Sequence, residues 1–458
     1  MASFFMPSQN HKGEKMNNTT GKRIINFIFD YKVPILFLAL SVAGVLVSKQ
    51  SLNFLFLELL ARFGRDTFLV IALIIPVITG MGLNFSIVVG AMAAQVAVFF
   101  VTNWLQTGIP TCPAPLAFLL CVLLCTPLAI LFGWLAGKLF NKIKGAEMIG
   151  GLILGYFSDG LYQFFFLFVL GGIIPIANKT LMLATGIGVK NSVDLATNKK
   201  FTGLKYSVDN ILKLPLVDCL KYLFVAVVLY GIVMAILQKV KGKKLITSKY
   251  WVLLAVSTIF FGLSFLPSFI KFAEILRIPV VTYLLIGGLC LFIEWLLKTR
   301  LGQNMRAVGQ NRVVANSAGI DVDRTRVIAI IISTVLASYG QLLYIQNLGV
   351  FTTYGAHTNV ALYSIAALLV GGASVYKATV KQAIVGVLLF HTLFIVSPLA
   401  GQTLMNDAMI GEYFRVFICY GVIAMSLVMH AWKKKKEKKT LDAGGDTPAA
   451  SADLLESK

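Results

Sequence analysis

The sequence predicts an all-α polytopic membrane protein with about 10–12 transmembrane segments, two of them broken or half-spanning helices. Three observations lead there. Hydrophobic residues make up 57% of the 458-residue chain and charged residues only 13%, where a soluble domain carries roughly a quarter charged residues. The apolar runs are long and continuous and lack the two-residue alternation of a barrel strand, which leaves the helix to satisfy backbone groups in lipid. Basic residues gather mostly at the ends of these runs. The net charge of +21 therefore reads as a topology signal rather than as affinity for nucleic acid.

Residues 1–32 form a polar, basic tail placed in the cytoplasm. The first span, roughly Val33–Val47, is read as retained, because its flanks do not resemble those of a signal peptide. Residues 51–66 read as an amphipathic outer segment, with Arg62 and Arg65 mildly opposing that placement. The stretch Thr67–Val101 is too long for one crossing of about 20 residues. Two short helices joined at Gly80–Asn84 fit it better, and such polar backbone is tolerated at membrane depth only against protein or water. Pro115–Phe140 returns to the cytoplasm near Lys138, Lys142 and Lys144. Ala146–Ile174 then crosses outward with Tyr156, Phe157, Ser158, Asp159 and Gln163 in its middle.

Residues 175–214 read as an extracytoplasmic loop and 215–270 as a helical hairpin turning at a basic knot between Lys239 and Lys249. Ile278–Leu297 delivers the polar stretch 298–326 to the cytoplasm, and Val327–Gln346 leaves again. Asn359–Val370 is short enough for a half-span. Gln382–Val396 and Glu412–Ala431 complete a membrane domain over 33–431, and residues 432–458 are expected to be a disordered basic tail. The alternation puts both termini in the cytoplasm.

An ionisable residue inside a membrane span is costly and points to function. Asp159, with Ser158 beside it and Gln163 one turn on, is the leading candidate for a solute pathway. Asn84, Phe85 and Ser86 at the break join it, and Gln341 and His391 are lesser candidates. Helix–helix hydrogen bonding is the competing explanation for single Ser, Asn and Gln residues. The four histidines, His11, His357, His391 and His430, are scattered without metal-ligand spacing. The six cysteines show neither metal nor disulfide-framework spacing. No nucleophile–base pairing is visible, so a membrane enzyme is disfavoured, and no catalytic residue, metal or cofactor is assigned.

The polar stretch Lys298–Arg326 is charged, glycine-punctuated and helix-competent. Asn311 suits a helix N-cap before RVVANSA, and Gly319 stands where a helix C-terminal glycine belongs. A short helix between glycine hinges at 309 and 319, joined to two spans, can act as a rigid lever.

The run TRLGQNMRAVGQNRVVANSAGI resembles the cytoplasmic loop of ATP-binding cassette importer permeases of the ribose, simple-sugar and branched-chain amino acid superfamily. Thr299, Arg300, Gly302, Ala307, Gly309, Asn311, Ala315, Gly319 and Ile320 carry that resemblance. Ile78–Gln95 and Ala366–Gly386 resemble two further elements of the family. Three departures stand out: Asn84 replaces the Asp of many sugar permeases, the 78–90 element is longer, and the hairpin 215–270 is an addition.

The resemblance implies a permease in the cell (inner) membrane. Its expected partners are a second permease (identical or homologous), two ATP-binding cassette ATPase subunits, an extracytoplasmic substrate-binding protein and the lipid bilayer, without nucleic acid. Arg300, Gly302, Arg306, Gly309, Asn311, Ala315 and Gly319 become the candidates for ATPase coupling. Arg312, Arg324 and Arg326 join Arg300 and Arg306 as possible partners of acidic groups on that motor. The chain itself lacks the G-x-x-x-x-G-K-[ST] phosphate cradle, so ATP hydrolysis is expected on another subunit. Sugars are the first expected solute class, nucleosides and branched-chain amino acids the next. A self-contained ion-coupled transporter is the alternative mechanism.

Overall fold

The computed structural model describes residues 32–109, 111–198, 201–241 and 248–443. The expectations for the N-terminal tail, for residues 242–247 of the basic knot and for 444–458 lie outside these residues.

The chain is all-α apart from two short ribbons. The helices are α1 (Lys32–Ser48), α2 (Leu52–Ala72), α3 (Ile74–Ile78), α4 (Ile87–Thr107), α5 (Ala114–Lys142) and α6 (Glu147–Phe164), the last continuing through a π-helical turn at Phe165–Val169. There follow α7 (Leu216–Lys241), α8 (Ser248–Leu263), α9 (Pro267–Ala273) and α10 (Val280–Leu296). The polar stretch folds as α11 (Arg300–Gln310) and α12 (Arg312–Ser317). The chain ends with α13 (Val322–Leu348), α14 (Val360–Val370), α15 (Val380–Met405) and α16 (Ala408–Ala443). Among the described residues, seven helices are long and apolar enough to cross a membrane, or up to nine if each bent helix pair is one span. Two shorter apolar helices, Val33–Ser48 and Val360–Val370, add to them. The protein is a polytopic membrane protein.

Helix α13 is the hub, packed by α2, α4 and α5. Lipid tails are as apolar as Leu, so helices in a membrane are held by close van der Waals contact rather than by hydrophobic burial, and small residues permit that contact. The glycines of the neighbouring helices do this here. A Cβ on Gly133 or Gly137 of α5 would lie 2.9 Å from the Cα of Ile331 or Val327. A Cβ on Gly90 of α4 would lie 2.5 Å from the Thr334 carbonyl oxygen. Toward the other end of α13, Gly340 leaves room for Leu69 of α2, whose side chain and backbone nitrogen would lie 2.9 and 3.1 Å from a Cβ there.

The region 51–66 is not a separate outer segment. It forms the first part of α2, which runs on through an αR linkage at Leu73 into α3. Arg62 and Arg65 do not stop the helix, because Glu58 and Asp66 on the same helix pair with them at 3.5 Å each. The break expected at Gly80–Asn84 is present, with Gly80 and Gly82 at φ +75° and +73°. Helix α14 is the expected short element and packs tightly on α15, where Gly386 takes the Ala367 carbonyl. The tail expected to be disordered from residue 432 begins as helix, since α16 runs to Ala443. Its lysines and glutamate are good helix formers.

At the end of the bundle away from α11 and α12, two antiparallel ribbons form. Strand β1 (Ser192–Asp194) pairs with β4 (Val350–Thr352), and β2 (Lys213–Pro215) pairs with β3 (Arg277–Pro279). The second ribbon closes the base of the hairpin α7–α8. Asp209, 2% exposed, ties this region to the bundle by accepting from Thr282 of α10 and from Asn347 Nδ2 of α13 at 2.8 Å.

Gly133→Leu should lower the thermal stability of the purified protein by about 1–3 kcal/mol or prevent folding, as overpacking does. Gly287→Ala, where a Cβ meets nothing within 4 Å, should leave it unchanged or raised. Tryptophan-fluorescence melting in detergent checks both.

Candidate functional site

The break between α3 and α4 and the break before α14 meet in the interior. In the first, Asn84 Oδ1 accepts from the Ser86 N–H at 3.0 Å and from Ser86 Oγ at 2.6 Å. Both residues are buried, at 4% and 1% exposure. Asn84 and Ser86 therefore shape the turn that starts α4. Glycines Gly151 and Gly155 of α6 lie against this turn: a Cβ on Gly151 would be 3.3 Å from Ser86 N, and one on Gly155 3.8 Å from Phe85 O. Four residues further along the same face stands Asp159.

Asp159 meets His357, a residue of the irregular segment 353–359 between β4 and α14. Their Oδ1 and Nε2 atoms are 2.6 Å apart. The other ring nitrogen of His357 lies 2.8 Å from Gln95 Oε1 of α4, and Gln163 Nε2 donates to Asp159 Oδ2 at 3.0 Å. The Tyr162 ring packs on the imidazole with centroids 4.6 Å apart. His357 is fully buried, while the Asp159 side chain keeps 26% exposure. Gln341 Nε2 donates to the Ala356 carbonyl at 3.0 Å, which pins the segment that presents His357. A cavity of about 480 Å³ opens on this pair, walled by Phe85, Tyr156, Tyr420, Thr358 and Asn359. It offers a carboxylate–imidazole pole and three aromatic rings, a combination suited to a small polar solute with an apolar face.

The sequence candidates separate as follows. Asp159 and Phe85 come together at this cavity, Gln163 holds Asp159 without lining it, Asn84 and Ser86 form the turn behind it, and Ser158 does not share it. Ser158 borders a different, apolar cavity of about 530 Å³ between α4, α5 and α6. His357 and Gln95 were missed because they are distant in sequence and lone polar residues in apolar runs. His391, a lesser candidate, belongs to a second cluster whose other members the sequence did not reveal. Asp66 Oδ2 lies 3.3 Å from His391 Nε2 and pairs with Arg65, bordering a cavity of about 140 Å³ with Arg62, Tyr344 and Asn359. Asn359 lines both polar cavities.

At the opposite end lies the α11–α12 pair. Thr299 caps α11 by accepting from the Gly302 N–H at 3.3 Å, and Asn311 caps α12 by accepting from the N–H groups of Val313 and Val314. Gly319 follows α12 at φ +79°, as its position predicts. Gly302 and Gly309, however, lie inside α11, so Gly309 is not the hinge expected of it. Their lack of a side chain serves close approach: a Cβ on Gly309 would collide with the Ile78 carbonyl, and one on Gly302 with that of Leu296. Thus α11 rests backbone to backbone on the end of α3, and Ala315 buries α12 against Val308 of α11 and Val322 at the start of α13. Arg300, Arg306, Asn311, Val313 and Val314 face outward, the two valines at 75% and 62% exposure.

The five arginines of this region do not share one role. Arg300, Arg306 and Arg324 are exposed. Arg326 is fully buried and Arg312 turns inward, both onto Glu147 at the start of α6. Arg312 Nη2 donates to Glu147 Oε1 at 2.7 Å and to the Gly80 carbonyl at 3.1 Å. Arg326 donates to the same Oε1 and, at 3.3 Å, to the Phe140 carbonyl. Glu147 Oε2 accepts the Gly145 N–H at 2.9 Å. A buried carboxylate shared by two guanidiniums is held for geometry more than for net stability, yet removing it would leave buried charge uncompensated at a cost of about 3–5 kcal/mol.

The chain is 29% identical over 176 residues to the D-allose transport system permease protein AlsC of Escherichia coli (strain K12), covering 37% of this chain and 50% of that protein. It is 25% identical over 174 residues to the L-arabinose transport system permease protein AraH of the same organism, covering 37% and 49%. It is 29% identical over 123 residues to the nucleoside ABC transporter permease protein NupB of Lactococcus lactis subsp. cremoris (strain MG1363), covering 26% and 30%. The chain thus spans about half the length of the first two curated relatives and less of the third. No solved structure matches it. The model of a family described as branched-chain amino acid transport system / permease component matches residues 55–426, most of the chain, and the protein belongs to that family.

Proposed function

We propose that this chain is the transmembrane permease subunit of an ATP-binding cassette importer that moves a small polar solute, sugars first, released by an extracytoplasmic binding protein. The observation that carries the reading is the α11–α12 pair. It is buried on one side through Gly302, Gly309 and Ala315 and presents Arg300, Arg306, Asn311, Val313 and Val314 on the other. A firmly seated element with an outward face of mixed charge and apolar side chains suits docking of a separate motor chain. Two ATPase subunits would dock there and at the equivalent face of a second permease, identical or homologous.

Orientation follows from the same element. The end bearing α11 and α12 faces the cytoplasm, both termini lie on that side, and the β1–β4 end meets the binding protein. The Asp159–His357 cavity is the solute station on the route between them. Its carboxylate accepts solute hydroxyls, and its aromatic walls stack on the ring face. The relatives named for sugars support a sugar, and the one named for nucleosides makes a nucleoside the alternative. A proton-coupled transporter is the second reading, favoured by the two carboxylate–imidazole pairs, Asp159–His357 and Asp66–His391. Solute uptake by the chain alone under a proton gradient would establish it and overturn the ATP-driven one.

Asp159→Asn should lower ATP-dependent uptake in vesicles by about tenfold or more, the effect of losing a charge-assisted hydrogen bond to solute, while the complex still assembles. Unchanged kinetics would remove Asp159 from the pathway. Gly309→Leu should abolish uptake although the protein reaches the membrane, because it forces α11 off Ile78. Gly319→Ala meets no neighbour within 4 Å and should cost only about 1–2 kcal/mol of backbone strain. Quantitative uptake with membrane-fraction blots separates the two.

A further inference from the structure

We infer that Glu147 is the positioning residue through which the α11–α12 element acts on the solute pocket, with Arg312 as its contact on the moving side. The inference rests on the ATP-driven reading above and assigns the route within this chain. The expected route was through the spans covalently joined to the polar stretch, α10 and α13. The geometry adds a third helix with no covalent link to it.

Arg312 is the first residue of α12 and reaches across to the first residue of α6. A displacement of α12 therefore pulls directly on α6. That helix also carries Asp159, about 18 Å further on at 1.5 Å per residue. Between these points α6 presents Gly151 and Gly155 to the turn at Phe85–Ser86, so its slide against α4 meets no side chain of its own on that face. Arg312 also holds the Gly80 carbonyl at the start of the same break. One guanidinium thus grips both walls of the pocket, the break that carries Phe85 and the helix that carries Asp159.

Arg326 has the fixed role. It is fully buried in α13 and anchors Glu147 to the hub helix and to Phe140 at the end of α5. Arg312 keeps 31% side-chain exposure and sits beside a polar cavity of about 350 Å³ bordered by Gly82, Glu147 and Tyr376. A half-exposed arm beside open space can let go and rebind. A fully enclosed one cannot do so without opening the core. Glu147 is therefore shared between a permanent and a releasable partner.

The test uses the full transporter complex in proteoliposomes, measuring solute uptake and ATP hydrolysis together. Arg312→Gln keeps the Glu147–Arg326 pair and should fold. It is expected to cut uptake about tenfold while hydrolysis stays within about twofold, so that ATP used per solute rises. Glu147→Gln should give the same uncoupling, Glu147→Asp should restore part of it, and the double variant should be no worse than either single one. Spin labels at Ser317→Cys of α12 and Ile153→Cys of α6, both exposed and neither among the docking or pocket residues, supply a readout that a merely structural role would leave unmoved. Their separation from a fixed label on α13 should change together on nucleotide trapping in the wild type. In Arg312→Gln, only the α12 label should move. Uptake falling in proportion to hydrolysis, additive single effects, or normal α6 motion in Arg312→Gln would each overturn the inference. If Glu147→Gln fails to fold, Arg312→Gln alone decides. Absence of ATP-dependent uptake in the wild-type complex would instead sink the importer reading, and that outcome is distinct from the others.

Discussion

Backbone must touch backbone in this bundle, and most of its architecture follows from that constraint. In water an apolar helix face is driven inward by burial. In lipid that drive is missing, and attraction between helices depends on how near their axes can come. The glycines at 90, 133, 137 and 340 bring α4, α5 and α2 against α13, and those at 371 and 386 do the same for α14 and α15. The polar stretch joins by the same device, with Gly309 against Ile78. The hub is rigid because its contacts leave no slack for side chains to absorb movement. Polar groups or open space replace such contact at the two backbone breaks and around Arg312.

The two breaks have one physical explanation. Unpaired backbone at membrane depth needs partners from the protein. The turn at 79–86 obtains them from Asn84 and Arg312, and the segment 353–359 from Gln341 and the β1 side of the bundle, where Thr353 N–H donates to Asn191 O at 2.8 Å. Their freed groups and the short helix that follows place His357 opposite Asp159. A polar pocket is thus the by-product of stopping two helices before they cross. This is the economy seen in transport proteins whose sites sit at interrupted helices.

Much of this was readable from the chain. Long apolar runs predicted the helical membrane fold, glycine and asparagine at 80–84 marked the first break, and the shortness of 359–370 marked α14. Asn311 and Gly319 declared their capping roles because capping depends on neighbours three or four residues away. What could not be read was pairing across the bundle. Asp159 was singled out as costly, but nothing in a one-dimensional pattern links it to His357 or Gln95. Arg62 and Arg65 looked misplaced until Glu58 and Asp66 accounted for them. Arg312 and Arg326 looked like members of a solvent-facing basic cluster, because only the fold shows Glu147 coming between them. Gly309 was read as a hinge, since a glycine needed for nearness and one needed for freedom are identical in sequence.

The ribbon of β2 and β3 has a consequence for how such a chain can grow. Lys213 and Pro279 are direct partners across it, so the polypeptide enters and leaves the α7–α9 insertion at a single point of the bundle. Helix α7 packs chiefly against α8, while α13 packs chiefly against α2, α4 and α5. The β2–β3 ribbon at its base and the edge contact of Phe272 in α9 with Phe56 of α2, ring centroids 6.2 Å apart, tie the insertion to the bundle. A permease architecture can in this way acquire a peripheral limb while the machinery at its centre stays under its own, much stricter, steric control.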